Sequence, residues 1–240
     1  MSTFERKKGF YEKYIKRLLD IICSLLAIIV FSWLYLIIAI IVRIKMGSPV
    51  LFKQPRPGVI KNGKETIFDM YKFRSMTDAR DENGNLLPDD QRLPKFGIWL
   101  RRTSLDELPE AFNILKGDMS VIGPRPQLVR DMVFMSDEQR MRHTARPGLS
   151  GLAQVMGRNA IAWEDKLNWD LKYIQNISFH NDVKIIFMTV KKVFGHNESA
   201  DELDVTLDYG DALLKEGKVS LEEYNSLQKK AIALMSERNH

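Results

Sequence analysis

The run from Leu100 to Pro126, LRRTSLDELPEAFNILKGDMSVIGPRP, gathers the residue types that phosphoryl chemistry needs. An adjacent carboxylate pair, Asp106 and Glu107, follows Arg101 and Arg102 and precedes Arg125, which sits in a stiff Pro-Arg-Pro element. A carboxylate can act as nucleophile or base or can hold a divalent cation, and guanidinium groups match phosphate oxygens. Ser104 followed by Glu107 is a capping-box pattern, so the pair is expected in the first turn of a helix running towards Leu115, where the helix dipole favours anions. Neighbours in such a turn diverge by about 100°, so one acid can face a substrate while the other holds a cation. Pro109 disturbs this register, because counted from a cap at Ser104 it removes a backbone bond; the helix then starts later or kinks. Ordinary helix capping would use the same acids, and the surrounding cations are what favour chemistry.

Two further clusters could complete such a site. In KFRSM, Lys72 and Arg74 lie two apart, so on an extended segment they share a face; an exposed basic strand edge is the other reading. In RHTARPGLSGLAQVMGRN, from Arg142 to Asn159, Arg146 or Arg158 could hold a diphosphate, against a reading as solvated or headgroup-binding arginines. His143 carries no assignment, since a lone histidine is more often a surface or capping residue.

The elements that must position these groups begin at a membrane-like stretch. Ile21 to Val42 is an uncharged, Ile- and Leu-rich run of 22 residues, with Lys13, Lys16 and Arg17 before it and Arg43 and Lys45 after it. As a straight helix it reaches about 33 Å, enough to cross a bilayer core. Basic residues on both flanks suit a helix that enters and returns to one leaflet. Lys61-Asn62-Gly63-Lys64 signals a two-residue hairpin, with a short extended piece at Val50 to Phe52 and a returning strand from Thr66 to Phe73. Asp78 to Lys95 reads as a surface loop, and Arg130 to Arg142 as a solvated helix. Val183, Ile186, Phe187, Val190 and Phe194 recur at helical spacing with Lys184, Lys191 and Lys192 off the stripe, as in an interfacial amphipathic helix. A capping box at Ser220 and Glu223 opens the second helix of a C-terminal hairpin.

The chain of 240 residues carries +5 overall, but the segment from His196 holds ten acidic and five basic residues, which leaves +10 on residues 1 to 195. Such a body suits an anionic membrane surface or phosphorylated substrates, and no zinc module or RNA-binding aromatic signature supports nucleic acid. One cysteine excludes an internal disulfide and leaves no zinc constellation. Three segments are expected: a basic N-terminus with the membrane helix at 1–45, a cytosolic catalytic domain at 46–195, and an acidic linker with the helical hairpin at 196–240.

The KFRSM segment, LRRTSLDELP, GDMSVIGPRP and the run from Arg142 to Asn159 stand in one order, and with them the chain resembles the bacterial sugar transferase family, the small monotopic phosphoglycosyl transferases. The resemblance runs from about Tyr14 to Phe194. It implies an α/β fold, mostly α with a small β-hairpin, anchored by a re-entrant N-terminal helix and interfacial amphipathic helices. The family breaks that helix at a Ser-Pro pair, and Ser32-Trp33 stands there in this chain. By the same resemblance Asp106 is the nucleophile, Glu107 binds Mg²⁺, and Asp170 falls where the family keeps an acid. Lys72, Arg74, Arg101, Arg125, Arg146 and Arg158 are the expected substrate-binding groups, with Lys72 the better candidate for contact with the dyad or a phosphate. A UDP-sugar would give its sugar-1-phosphate to undecaprenyl phosphate at the inner (cytoplasmic) membrane, with the catalytic domain on the cytoplasmic side and UMP released. Membrane lipid, downstream glycosyltransferases and a second copy of the chain are the further expected partners. The rival reading is a non-catalytic membrane-anchored scaffold. The catalytic reading requires an Asp106 carboxyl that is not buried in packing and that lies near the metal on Glu107 and the bilayer face.

Overall fold

The computed structural model describes residues 6–157, 162–194 and 207–237. In chain order, after a π-helical turn at Tyr11–Ile15, come α1 (Lys16–Val30), α2 (Ser32–Met46), β1 (Leu51–Lys61), β2 (Lys64–Phe73), α3 (Asp89–Arg92), α4 (Lys95–Arg102), a 3-10 turn at Leu105–Glu107 and α5 (Glu110–Lys116). They are followed by β3 (Ser120–Ile122), α6 (Val129–Met132), α7 (Asp137–Arg140), a 3-10 turn at Met141–Thr144, β4 (Gly148–Ser150), α8 (Leu152–Gly157), α9 (Trp163–Gln175), α10 (Phe179–Phe194), α11 (Tyr209–Lys215) and α12 (Leu221–Glu237). The fold is mostly helical with two small two-stranded sheets. Its elements form two compact units that interleave along the chain: residues 1–20, 55–68 and 117–240 make the first, and 21–54 with 69–116 the second.

The hairpin β1–β2 turns at Asn62 and Gly63, both at positive φ, as a two-residue loop between right-twisted strands requires. Its first strand runs far beyond the short extended piece expected at Val50 to Phe52, through Pro55, Pro57 and Gly58. In a two-stranded sheet every strand is an edge, and an edge can carry prolines at alternate positions without losing ladder bonds.

In the second unit, α2 buries Ile38, Val42 and Met46, a stripe at four-residue spacing, against Phe73 of β2 and Leu100 of α4. Leu105 and Leu108, on either side of the 3-10 turn, pack against the same cluster. The other face of α2 exposes Trp33, Leu36, Ile40 and Ile44. No single described helix is long and apolar enough to cross a membrane; the helical stretch Tyr11–Val30 and α2 are bent by 63°. The break falls at Phe31, whose φ of −96° and ψ of 12° leave the helical region just before Ser32. No proline is needed for it.

The first unit is built on the parallel pair β3–β4, with Ser120 opposite Gly148 and Ile122 opposite Ser150. Glycine permits this joint. A Cβ on Gly148 would lie 2.0 Å from the backbone nitrogen of Gly123, and one on Gly151 2.1 Å from the Gly123 carbonyl oxygen. GPRP and RPGLSG are therefore two halves of one backbone-to-backbone contact. Ile122, Ala145, Tyr173, Ile174 and Ile185 form the core beneath it. Asp20 of α1 accepts from Ser120 Oγ and from the Val121 N–H, both at 2.9 Å, and Asp182 of α10 takes Lys16, Tyr11 and Tyr173. On α10, Ile185 points inward while Ile186, Phe187 and Val190 are exposed.

Residues 130–142 differ from the single solvated helix expected there. Val129, Asp131 and Met132 are buried, and the segment is cut into α6, α7 and a 3-10 turn because Ser136 caps α7 while the C-terminal hairpin covers α6. Ala231, Leu234 and Met235 of α12 pack on Val129 and Met132; Tyr209 packs with Met135 and Leu167, and its N–H donates to Asp131 at 2.9 Å. Ser220 Oγ accepts from the Glu223 N–H at 3.1 Å, the expected cap of α12. The acidic linker at 196–206 lies outside the described residues.

Candidate active site

The second unit places the carboxylate pair at the junction of α4 and α5. Ser104 adopts a left-handed conformation, φ 54°, and makes no side-chain cap, so the expected capping box does not form. Asp106 and Glu107 sit instead in a 3-10 turn, and α5 begins at Glu110. Pro109 explains the delay. It has no N–H to donate inside a helix, yet its carbonyl accepts from the Phe112 N–H at 3.1 Å, which is how a proline opens one. The turn is held from below by Leu105 and Leu108 in the core and by Tyr35, whose hydroxyl donates to the Leu108 carbonyl at 2.5 Å.

Lys72, near the end of β2, reaches this turn. Its Nζ lies 2.6 Å from Glu107 Oε1 and 3.3 Å from Glu110 Oε1. Arg101 contributes positive charge and is steadied by Ser75, which accepts its Nε–H at 2.8 Å. Arg74 is turned elsewhere: it lies past the last strand residue, is buried, and donates to the carbonyls of Ser48 and Met76 and to Asp78. Strand alternation stops at Phe73, so Lys72 and Arg74 do not share a face. Arg74 pins the chain leaving α2 rather than meeting a phosphate beside the dyad.

Asp106 is less open than the catalytic reading asked, with 7% of its surface exposed. The cause is Leu105 and Leu108, which pull the short turn down onto the core. The carboxyl is nevertheless not consumed by packing. Among the described residues its Oδ1 has no hydrogen-bond partner. Burial raises its pKa above the ordinary carboxylate range, Lys72 and Arg101 oppose the rise, and Glu107 adds to it. A buried carboxylate oxygen without a donor is a poor structural choice and a good place for a cation or an electrophile.

The remaining expected groups belong to the first unit. The Arg125 side chain is exposed, and its backbone is gripped from two sides: Arg142 Nη2 donates to the Arg125 carbonyl at 2.6 Å, and Arg56 Nη1 to the Pro126 carbonyl at 2.9 Å. Arg142 is itself neutralised by Asp170, at 2.5 Å and 3.0 Å, in a pair only 1% exposed on each side. Asp170 thus balances the arginine that holds the Pro-Arg-Pro backbone. Arg146 donates to the Gly117 carbonyl at 3.0 Å, closing the chain between α5 and β3. His143 is buried, with Nδ1 3.3 Å from Glu65, not on the surface. Arg158 lies outside the described residues.

The family model described as bacterial sugar transferase matches residues 11–196, a span containing every one of these groups. The chain belongs to the bacterial sugar transferase family. It is 48% identical to the protein named uncharacterized sugar transferase EpsL of Bacillus subtilis, over 75% of this chain and 87% of that one. It is 39% identical to the UDP-N-acetylgalactosamine-undecaprenyl-phosphate N-acetylgalactosaminephosphotransferase of Aeromonas hydrophila and 41% to the UDP-glucose:undecaprenyl-phosphate glucose-1-phosphate transferase of Klebsiella pneumoniae. Each of these two matches covers 75% of this sugar transferase but less than half of the longer relative, 44% and 40%.

Among the described residues no three His, Cys, Asp or Glu side chains form a metal cage. Mg²⁺ does not need one, since it keeps several waters and binds through one or two carboxylates together with substrate phosphates. Glu107, whose side chain is 21% exposed, and the unpartnered Asp106 Oδ1 fit that demand. Glu110 escaped sequence reasoning. It stands three residues after Glu107, the spacing at which helical neighbours meet, and that was the signal to be read.

Proposed function

We propose that this sugar transferase moves a sugar-1-phosphate from a UDP-sugar to a polyprenol phosphate such as undecaprenyl phosphate, through a phosphosugar held on Asp106. The observation that carries the reading is Asp106 beside Glu107 and Lys72, with a buried oxygen that no described donor satisfies. In the first half-reaction an Asp106 oxygen attacks the sugar-bearing phosphorus, and the bond from that phosphorus to the oxygen shared with UMP breaks. UMP leaves with that oxygen. In the second half-reaction an oxygen of the polyprenol phosphate attacks the same phosphorus, forming a diphosphate and freeing the carboxylate.

Covalent transfer lets a water-soluble donor and a lipid acceptor use one carboxylate in turn, where direct transfer would need both at once. A Mg²⁺ at Glu107 would neutralise the charge that builds on the departing UMP. Lys72 and Arg101 place positive charge beside the carboxyl, and burial keeps water from an acyl phosphate. The bent pair of α1 and α2, apolar on its outer faces, is read as a re-entrant anchor in the cytoplasmic leaflet of the inner membrane, with α10 lying in the interface through Ile186, Phe187 and Val190. The names of the Aeromonas and Klebsiella relatives, a UDP-sugar and undecaprenyl phosphate in each, agree with these substrates.

The test is a trap. Incubation with a UDP-sugar labelled in its sugar, followed by acid quench, should leave label on the wild-type chain and none on Asp106→Asn, and turnover should fall by about 10³-fold or more. Abundant UMP release by Asp106→Asn would sink the nucleophile assignment and a base role for Asp106 alike, whereas turnover that needs Asp106 but leaves no label on the wild-type chain would favour Asp106 as a base in direct transfer. Absence of UMP release from every UDP-sugar, with Mg²⁺ and polyprenol phosphate present, would leave only a scaffold.

A further inference from the structure

Resting on the reading of Glu107 as the cation's ligand, we infer that Glu110 is a positioning residue: it is the second berth of Lys72, taking the ammonium when a divalent cation occupies Glu107. Lys72 Nζ stands between the two acids, 2.6 Å from Glu107 Oε1 and 3.3 Å from Glu110 Oε1, so the change of berth needs less than an ångström of motion. An ammonium has three donors and can hold both carboxylates at once or either one alone. The two acids are not equivalent. The Glu107 side chain is 21% exposed and open to an incoming ion, whereas the Glu110 side chain is 4% exposed.

A cation arriving at Glu107 repels the ammonium already there, and Lys72, itself largely buried, cannot be left without an anion at small cost. Glu110 supplies that anion from the first residue of α5, in the wall of the site. With the ammonium on Glu110, Glu107 is free for the metal and Lys72 stays near Asp106, whose negative charge it already favours. The same lysine therefore neutralises the acids while no ion is bound and remains near the carboxyl when one arrives.

Binding of Mn²⁺, followed by electron paramagnetic resonance on the full chain in detergent without substrate, tests this. Glu110→Gln keeps the shape and removes the charge, and it should weaken Mn²⁺ binding by about tenfold. Lys72→Met removes the group that has to move. In that background Glu110→Gln should weaken binding by about threefold or less, the residue of plain charge loss. Glu110→Asp in the Lys72 background should recover most of the loss, and Glu110→Ala takes the place of the amide variant, in both backgrounds, if that one does not fold. Equal losses from Glu110→Gln in both backgrounds would overturn the inference while leaving Glu107 as the metal ligand. Wild-type protein that binds no Mn²⁺, or binds it equally well as Glu107→Gln, overturns the metal reading and this inference together.

Discussion

At the residue scale the molecule contains two kinds of buried carboxylate. Asp106 is buried with an oxygen left open, whereas Glu65 is buried and saturated. Burial alone would raise Glu65, but hydrogen bonds from His143 and Arg140 hold its pKa down at about 2. Burial likewise pushes His143 down to about 4, so at neutral pH the imidazole is uncharged and Arg140 supplies the cation that Glu65 needs. Both groups make acid destabilising. The depressed carboxyl contributes stability that is complete above its ordinary value of 4.5 and is lost as pH falls towards 2; the depressed histidine contributes stability that is complete above 6.5 and is lost as pH falls through 4. Denaturant melts between pH 7 and 4 should therefore show stability falling by roughly 2–3 kcal/mol, from a depression of about two units. His143→Gln should flatten most of that slope, and a slope unchanged in the variant would mean that another group is responsible.

At the element scale, the joint between β3 and β4 brings two distant motifs into register, and glycine is the condition for it. Gly148→Ala puts a methyl group where the Gly123 nitrogen stands, a contact with backbone that no rotamer relieves. The cost should be on the order of 3 kcal/mol, read as a lower Tm, and it should fall hardest on the Pro-Arg-Pro backbone that Arg142 and Arg56 hold. Gly84→Ala is the control. Nothing lies within 4 Å of its added carbon, although its positive φ brings some strain of its own. Equal losses at the two sites would show that conformational strain, and not the close approach, governs both.

At the scale of the whole molecule, one continuous apolar run has become two arms with outward apolar faces and a bend of 63°. The single cysteine, Cys23, is exposed on the first arm and reports on this directly. In liposomes a fluorophore on Cys23 should be quenched by lipids brominated on the acyl chains. A cysteine placed at Lys8 and one placed at Lys53, each in a Cys23→Ser background, should be labelled by a membrane-impermeant maleimide from the same side. Labelling from opposite sides would make the stretch a span and would end the re-entrant reading.

Much of this was legible in the chain itself. The carboxylate pair and its cations, the Asn-Gly hairpin, the apolar run, the cap at Ser220 and the family all follow from residue type and short spacing, because local chemistry and local geometry set them. The KFRSM motif favours Lys72 over Arg74 for the dyad, and Lys72 meets it. What residue type and spacing could not say is that Arg74, two positions on, ties down a loop, because the strand ends between them. Ser104 and Pro109 compete over where a helix starts, and the core beneath Leu105 and Leu108 settles it in favour of a short turn. His143, Asp170 and Glu110 acquired meaning only when distant segments folded over them. Burial and the identity of a partner across many residues are properties of packing, and packing is decided by the whole chain at once.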